Sequence, residues 1–183
     1  IESGSGFDYF GYSTSLSSDG KTLAVGGFYG ELGSATDNAG YVKIFENVNG
    51  NFTQVGNALT GDNTNADEFG FSVDLSSDGS IVAVSSAQGG DVFVYQRNGN
   101  NWSQLGDTIA FLDYSSDTKP SSIRKQEAVV QTKISEDGNY LAIGSPNADI
   151  GGTNNGLIRV YKNISQSWVQ VGSDIVGQNL SHL

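Results

Sequence analysis

The phrase Leu-Ser-Ser-Asp-Gly occupies Leu16–Gly20, returns at Leu75–Gly79, and comes back as Ile-Ser-Glu-Asp-Gly at Ile134–Gly138, at two equal intervals of 59 residues. A phrase repeated at such a period marks one supersecondary unit written several times, and it constrains the fold more than any other feature. The surrounding sequence repeats with it. FGYSTSLSSDGKTLAVGG (Phe10–Gly27) aligns with FGFSVDLSSDGSIVAVSS (Phe69–Ser86) and with AVVQTKISEDGNYLAIGS (Ala128–Ser145). Each continues into an apolar, alternating run: YVKIFENVNGNFTQVG, DVFVYQRNGNNWSQLG and LIRVYKNISQSWVQVG.

Every unit offers four short strands. Tyr12, Thr14 and Leu16 alternate with Ser13, Ser15 and Ser17, a period of two that fits a half-buried strand. Leu23–Val25 is short and apolar, Val42, Ile44 and Phe45 supply a third strand, and Phe52 opens a fourth. Asp-Gly between the first two strands, and Asn-Gly at Asn49-Gly50 and Asn98-Gly99 between the last two, are hairpin signals, because glycine accepts positive φ. From the Asp-Gly glycine to the glycine closing the fourth strand the units run Gly20–Gly56, Gly79–Gly106 and Gly138–Gly172. The second is the shortest, and the lost length returns in the connection FLDYSSDTKPSSIRKQE, so strands are fixed and loops drift.

Four antiparallel strands repeated about every 60 residues predict an all-β chain of three β-propeller blades. The divisions fall at 1–9 (the end of a preceding blade), 10–68, 69–127 and 128–183. Propellers close with roughly four to eight blades, so three predict membership of a larger ring, in one polypeptide or across chains. The absent initiator methionine and the IESGSG opening suggest an excised piece of something longer.

The motifs FGYS…LSSDG…LAVGG and FGFS…LSSDG…VAVSS, with AIGSP at Ala142–Pro146, resemble FG-GAP repeats, the blades of integrin-α-like propellers. They are similar as well to repeats of secreted marine-bacterial surface proteins, from about Phe10 to Gly177. The resemblance implies a secreted or cell-surface module for adhesion or for protein or glycan binding. Two features depart from it. Ala128-Val129 replaces Phe-Gly in the third unit, and the integrin-type Asp-x-Asp-x-Asp-Gly calcium loop is absent, the Asp19, Asp78 and Asp137 turns holding too few oxygens.

Composition narrows the classes of function. Twenty acidic residues against nine basic ones give a net charge of −11, which repels nucleic acid. No window approaches the roughly 18 apolar residues of a membrane helix, so no membrane insertion is expected. With no Cys, a disulfide framework and a thiolate metal site are excluded. The single histidine, His182, stands beside the end of the sequence, so an embedded Ser-His-Asp triad is not expected and the chain reads as non-catalytic. A structural repeat of an extracellular filament and the propeller of a carbohydrate-active enzyme are the other readings.

Three sets of candidate residues follow. Asp62, Asn63, Asn65 and Asp67, with Glu68 beside them, place hard oxygens at close spacing, a pattern that suits Ca²⁺. A polar turn that bonds its own backbone is the plainer reading. Tyr29, Asp37 and Asn38 in one long loop, and Asn147, Asp149 and Asn154 in its counterpart, are the expected ligand-binding positions, because loops on a rigid scaffold carry binding. Asn51, Asn101, Asn163 and Asn179 are N-x-Ser/Thr acceptors for glycan in a eukaryotic source. Phe52, Trp102 and Trp168 recur at one position of each unit, which predicts packing between units.

Overall fold

The computed structural model describes residues 8–30, 39–61, 68–88, 90–111, 130–148 and 155–177. These form three four-stranded antiparallel meanders. The first comprises β1 (Ser13–Leu16), β2 (Thr22–Gly27), β3 (Tyr41–Val48) and β4 (Asn51–Gln54). The second comprises β5 (Phe69–Leu75), β6 (Ile81–Ser86), β7 (Asp91–Asn98) and β8 (Asn101–Gln104), with the short β9 (Ile109–Ala110) added along β7. The third comprises β10 (Gln131–Ile134), β11 (Tyr140–Ser145), β12 (Leu157–Ile164) and β13 (Ser167–Val176). The architecture is all-β, as the repeat predicts, with four strands per unit.

The repeated phrase builds one hairpin three times. Ser17 donates to the Asp19 carboxylate at 2.8 Å and accepts the Thr22 amide, while the Lys21 amide donates to the same carboxylate. Ser76 and Asp78 repeat this with Ile81 and Ser80, and Ser135 and Asp137 repeat it with Tyr140 and Asn139. The glycine that follows each aspartate has φ near +70° (Gly20 +70°, Gly79 +68°, Gly138 +71°), a region that strongly favours glycine. Hydrogen bonds to the ionised carboxylates favour their charged form. They hold Asp137 down at about 2, chiefly through Ser135 and Asn139. Asp78 is lowered chiefly by Ser76, and Asp19 chiefly by the Lys21 amide. At the other hairpin the second unit departs from the sequence expectation. Its two loop residues are Gly99 and Asn100, because Asn98 still pairs with Asn101.

The turns also tie one sheet to the next. The Ser18 amide donates to the Ser77 carbonyl at 2.9 Å, and the Ser77 amide donates to the Glu136 carbonyl at 2.9 Å. The first strands of the sheets run side by side and continue the ladder. The Leu75 amide donates to Ser15 Oγ, and the Ile134 amide to Asp74 Oδ2 at 2.7 Å. Thr132 bonds Ser72 through both its amide and its hydroxyl.

Between these polar seams lie two apolar cores. Ala24, Val42, Ile44 and Leu59 of the first sheet meet Phe69, Leu75, Val82 and Val84 of the second. Ala83, Val92, Val94 and Leu105 of the second meet Ile134, Leu141, Ile143 and Leu157 of the third. Full burial of each such side chain contributes about 1.5–3 kcal/mol. The recurrent aromatic packs between sheets at two of its three positions: Trp168 Nε1 donates to the Leu105 carbonyl at 2.9 Å and Trp102 packs on the first core, whereas Phe52, on the first sheet, is exposed.

Asp74 is the buried charged group of this seam, 5% exposed, and it serves Ile134, Lys133 and Ser15. Asp74→Ala removes a charged acceptor from the Ile134 amide and Lys133 at once and should lower stability by about 2–3 kcal/mol, against about 1 kcal/mol for Ser15→Ala, which removes a neutral one from the Leu75 amide. Chemical denaturation of the two variants measures the difference. The turn carboxylates make a second prediction. Their folded values lie below the usual 3.8. The stability they add is therefore complete above about pH 4 and is lost as pH falls toward about 2. Denaturation midpoints taken across that interval should fall, and Asp137→Asn should flatten part of the slope.

Candidate functional site

An antiparallel meander sends its second-to-third loop and its exit to the next sheet out of the same end. The connections around Tyr29 and Asn147 and the segment leading into Phe69 therefore share one end of the stack. An aromatic cluster sits there. Tyr12 lies 4.4 Å from Phe28 and 5.2 Å from Phe71 between ring centroids. Tyr29 stands edge-on to Phe28 at 4.7 Å, and Tyr9 lies 5.4 Å from Tyr29. Phe28 is buried, while Tyr9 and Tyr12 are 56% and 53% exposed and present their rings to solvent.

Glu68 joins this cluster as its acid. Its carboxylate accepts Gln88 Nε2 at 2.5 Å, and its charge acts on the Tyr29 hydroxyl. The charge of Glu68 is the chief cause that pushes the Tyr29 hydroxyl above its usual value. Burial and neighbouring Tyr9 add to it. Tyr29 thus remains a neutral donor at neutral pH. Tyr9 and Glu68 hold equivalent places, each just before a Phe-Gly pair, and both have positive φ (50° and 55°). That backbone is costly for residues with a side chain, and it persists only where the surroundings fix it.

Of the expected ligand-binding residues, Tyr29 belongs to the cluster, and Asn147 is half-buried in the turn after β11. Asp37, Asn38, Asp149 and Asn154 lie outside the described residues, as do the proposed calcium ligands Asp62, Asn63, Asn65 and Asp67. Among the described residues no group of three or more His, Cys, Asp or Glu side chains could hold a metal. Asp8, the repeat counterpart of Asp67, is buried and accepts the Tyr41 hydroxyl at 3.1 Å, a structural use of that position. Asn51 and Asn101 open β4 and β8 on exposed turns. Asn163 is half-buried and accepts the Gln166 amide, and Asn179 lies outside the described residues with His182.

Sequence reasoning did not single out Tyr9 and Tyr12 and read Glu68 only as a neighbour of calcium ligands. The signal that finds them is their position: residues flanking Phe10-Gly11 and Phe69-Gly70 stand where strands enter the stack.

No family model matches the chain, and no curated protein matches it significantly. Solved structures do. A candidate 6-phosphogluconolactonase of Bacteroides uniformis superposes with a TM-score of 0.58 at 16% identity, over 87% of this chain and 39% of that one. Another, from Bacteroides fragilis, gives 0.59 at 17% identity, over 88% and 38%. The periplasmic gluconolactonase of Pseudomonas aeruginosa gives 0.51 at 18% identity, over 87% and 44%. At such identities the likeness shows the fold, which is β-propeller-like. The chain spans about two-fifths of the length of these structures.

The comparison corrects two expectations. Adhesive or architectural work without catalysis rested on the resemblance to FG-GAP repeats, and the reading of the chain as no enzyme rested on the missing embedded histidine. Solved structures similar to it include sugar lactonases, so this fold is one on which lactone chemistry is carried out. Lack of a triad therefore does not make such a sheet stack inert.

The link between Glu68 and Tyr29 is measurable directly. Glu68→Gln removes the carboxylate charge and should bring the Tyr29 titration down toward the usual tyrosine value of about 10. Difference absorbance of the ionised phenol between wild type and variant reads that change. Identical titration curves would contradict it.

Proposed function

We propose that the three sheets are blades of a β-propeller ring whose loop-bearing end binds a sugar-derived small molecule and hydrolyses it as a lactone. The observation that carries this reading is the pairing, at one end of the stack, of two solvent-facing tyrosine rings with a positioned carboxylate. Aromatic faces suit the apolar C–H surface of a sugar ring, while a few convergent polar groups fix its orientation. Fold-sharing with sugar lactonases supports the choice of reaction.

The chemistry assigns simple roles. Water attacks the lactone carbonyl carbon and gives its proton to Glu68. Collapse of the tetrahedral intermediate breaks the ring C–O bond, and the departing alkoxide takes that proton back, leaving a hydroxy acid. Gln88 orients the carboxylate, and the neutral Tyr29 hydroxyl is the nearby donor for the developing oxyanion. A net charge of −11 and a carboxylate in the site favour an uncharged lactone over a phosphorylated one.

A pH-stat assay of the full chain with an aldonolactone, corrected for spontaneous opening, tests the reading. Turnover should appear, fall about 10²–10⁴-fold in Glu68→Gln, and show a raised KM in Tyr9→Ala. No excess over spontaneous opening, together with no tyrosine fluorescence change on adding lactone, would overturn it.

A further inference from the structure

The two junctions inside the chain define what each sheet face is built to meet. A forward face, carrying Val42 and Leu59 or Val92 and Ile109, receives the next sheet; a rear face, carrying Leu75 and Trp102 or Ile134 and Trp168, covers the sheet before it. Among the described residues, the third sheet's forward face and the first sheet's rear face meet no other sheet. Ile158 and Ile175 stand where Val42 and Leu59 do, yet they are 44% and 57% exposed against 0% and 9%. Leu16 stands where Leu75 and Ile134 do, yet it is 55% exposed against 7% and 7%. The glycines agree. A Cβ on Gly56 would lie 2.6 Å from the Asn100 carbonyl oxygen, and one on Gly106 would lie 2.6 Å from that of Gln166. Their counterpart Gly172 meets nothing within 4 Å, and neither does Gly20 at the opposite face.

The third sheet's forward face holds an apolar groove of about 590 Å³, lined among others by Gly144, Gly156, Leu157, Ile158 and Ile175. Its repeat counterpart on the first sheet is occupied, and the occupant is Phe69-Gly70. The Phe69 amide donates to the Ala39 carbonyl, and Phe69 bridges Gly40. Gly70 (φ +91°) presses its carbonyl onto Gly26 and accepts the Ser13 hydroxyl at 2.7 Å. The groove is therefore the socket for a Phe-Gly pair at the head of a rear face. Phe10-Gly11, ahead of Leu16, is such a pair.

We propose that a second copy of this chain supplies it: Phe10-Gly11 and the first sheet of each copy dock on the third sheet of the other, and two copies close a six-bladed ring about a two-fold axis. Area favours closure over a single contact. A face of four strands by five residues covers about 300 Å² in plan, from spacings of about 4.8 Å and rises of about 3.3 Å. One junction buries two such faces, about 600 Å², below the roughly 1,200 Å² of a stable interface; the two junctions of a closed ring reach it. The new junction differs in two positions. Lys133 replaces Ser15 and Asp74 and offers no acceptor to the Leu16 amide, while Gln131, in the place of Ser13, carries an amide donor for the Gly11 carbonyl.

Sedimentation velocity of the 183-residue chain in 0.5 M NaCl, which screens the repulsion between two copies of net charge −11, is the test. The expected species has twice the 19.2 kDa chain mass. Leu16→Asp on one face and Ile158→Asp on the other should each give a monomer with unchanged circular dichroism, since both positions are about half exposed within one copy. The milder Ile175→Ser should weaken association at least tenfold without unfolding. A wild-type monomer up to about 100 µM overturns the proposal, and it is the result expected if further residues of a longer polypeptide cover the groove instead. A dimer indifferent to all three substitutions, or a series of species larger than a dimer, overturns it equally.

Discussion

The hydrogen bond that one Asp-Gly turn hands to the next is the interaction on which the stack depends. Ser18 to Ser77 and Ser77 to Glu136 set a fixed offset between successive sheets, and every other contact inherits it. The turn bonds join residues 59 apart, and beside them the first strands meet one residue further along, Ser15 with Leu75 and Asp74 with Ile134. The apolar faces then fall into register without further instruction, which is why the chain repeats the phrase so closely while its loops vary in length. Each Ser-x-Asp-Gly turn is also self-supporting. Its serine and aspartate bond each other and the returning strand, so the turn is specified by local sequence.

Much of this was legible in the sequence because it is local. Alternation, Asp-Gly and Asn-Gly turns and the recurrent aromatic at Phe52, Trp102 and Trp168 specify strands, hairpins and a packing side through neighbours only a few residues apart. The uses of Phe69-Gly70 and Asp74 were not legible. Both act across sheets, through contacts about 30 to 60 residues distant in sequence, and nothing in the local pattern distinguishes Asp74 from a solvent-facing strand residue. Glu68 shows the same limit at the site. In sequence it belongs to an acidic turn that suggests calcium; in space it serves Gln88 and Tyr29.

Function was the least legible, for a physical reason. A stack of four-stranded sheets is a scaffold, and what it does depends on a few side chains set on it rather than on the sheets themselves. The sequence resemblance carried an expectation of adhesion, whereas similar solved structures include sugar lactonases. Tyr9, Tyr12, Tyr29 and Glu68 converge because their strands enter and leave at that end, an outcome of topology that no motif records.

Native-state amide hydrogen exchange tests the shared offset most directly, because Leu75, Ser77 and Ile134 donate their amides to a neighbouring sheet rather than within their own. The account predicts that these three exchange as slowly as the central-strand amides of Val84 and Val94, opening only with the whole stack. Exchange of these three at the rate of exposed turn amides, beside protected strand interiors, would mean that the sheets fold without handing bonds to one another, and would contradict it.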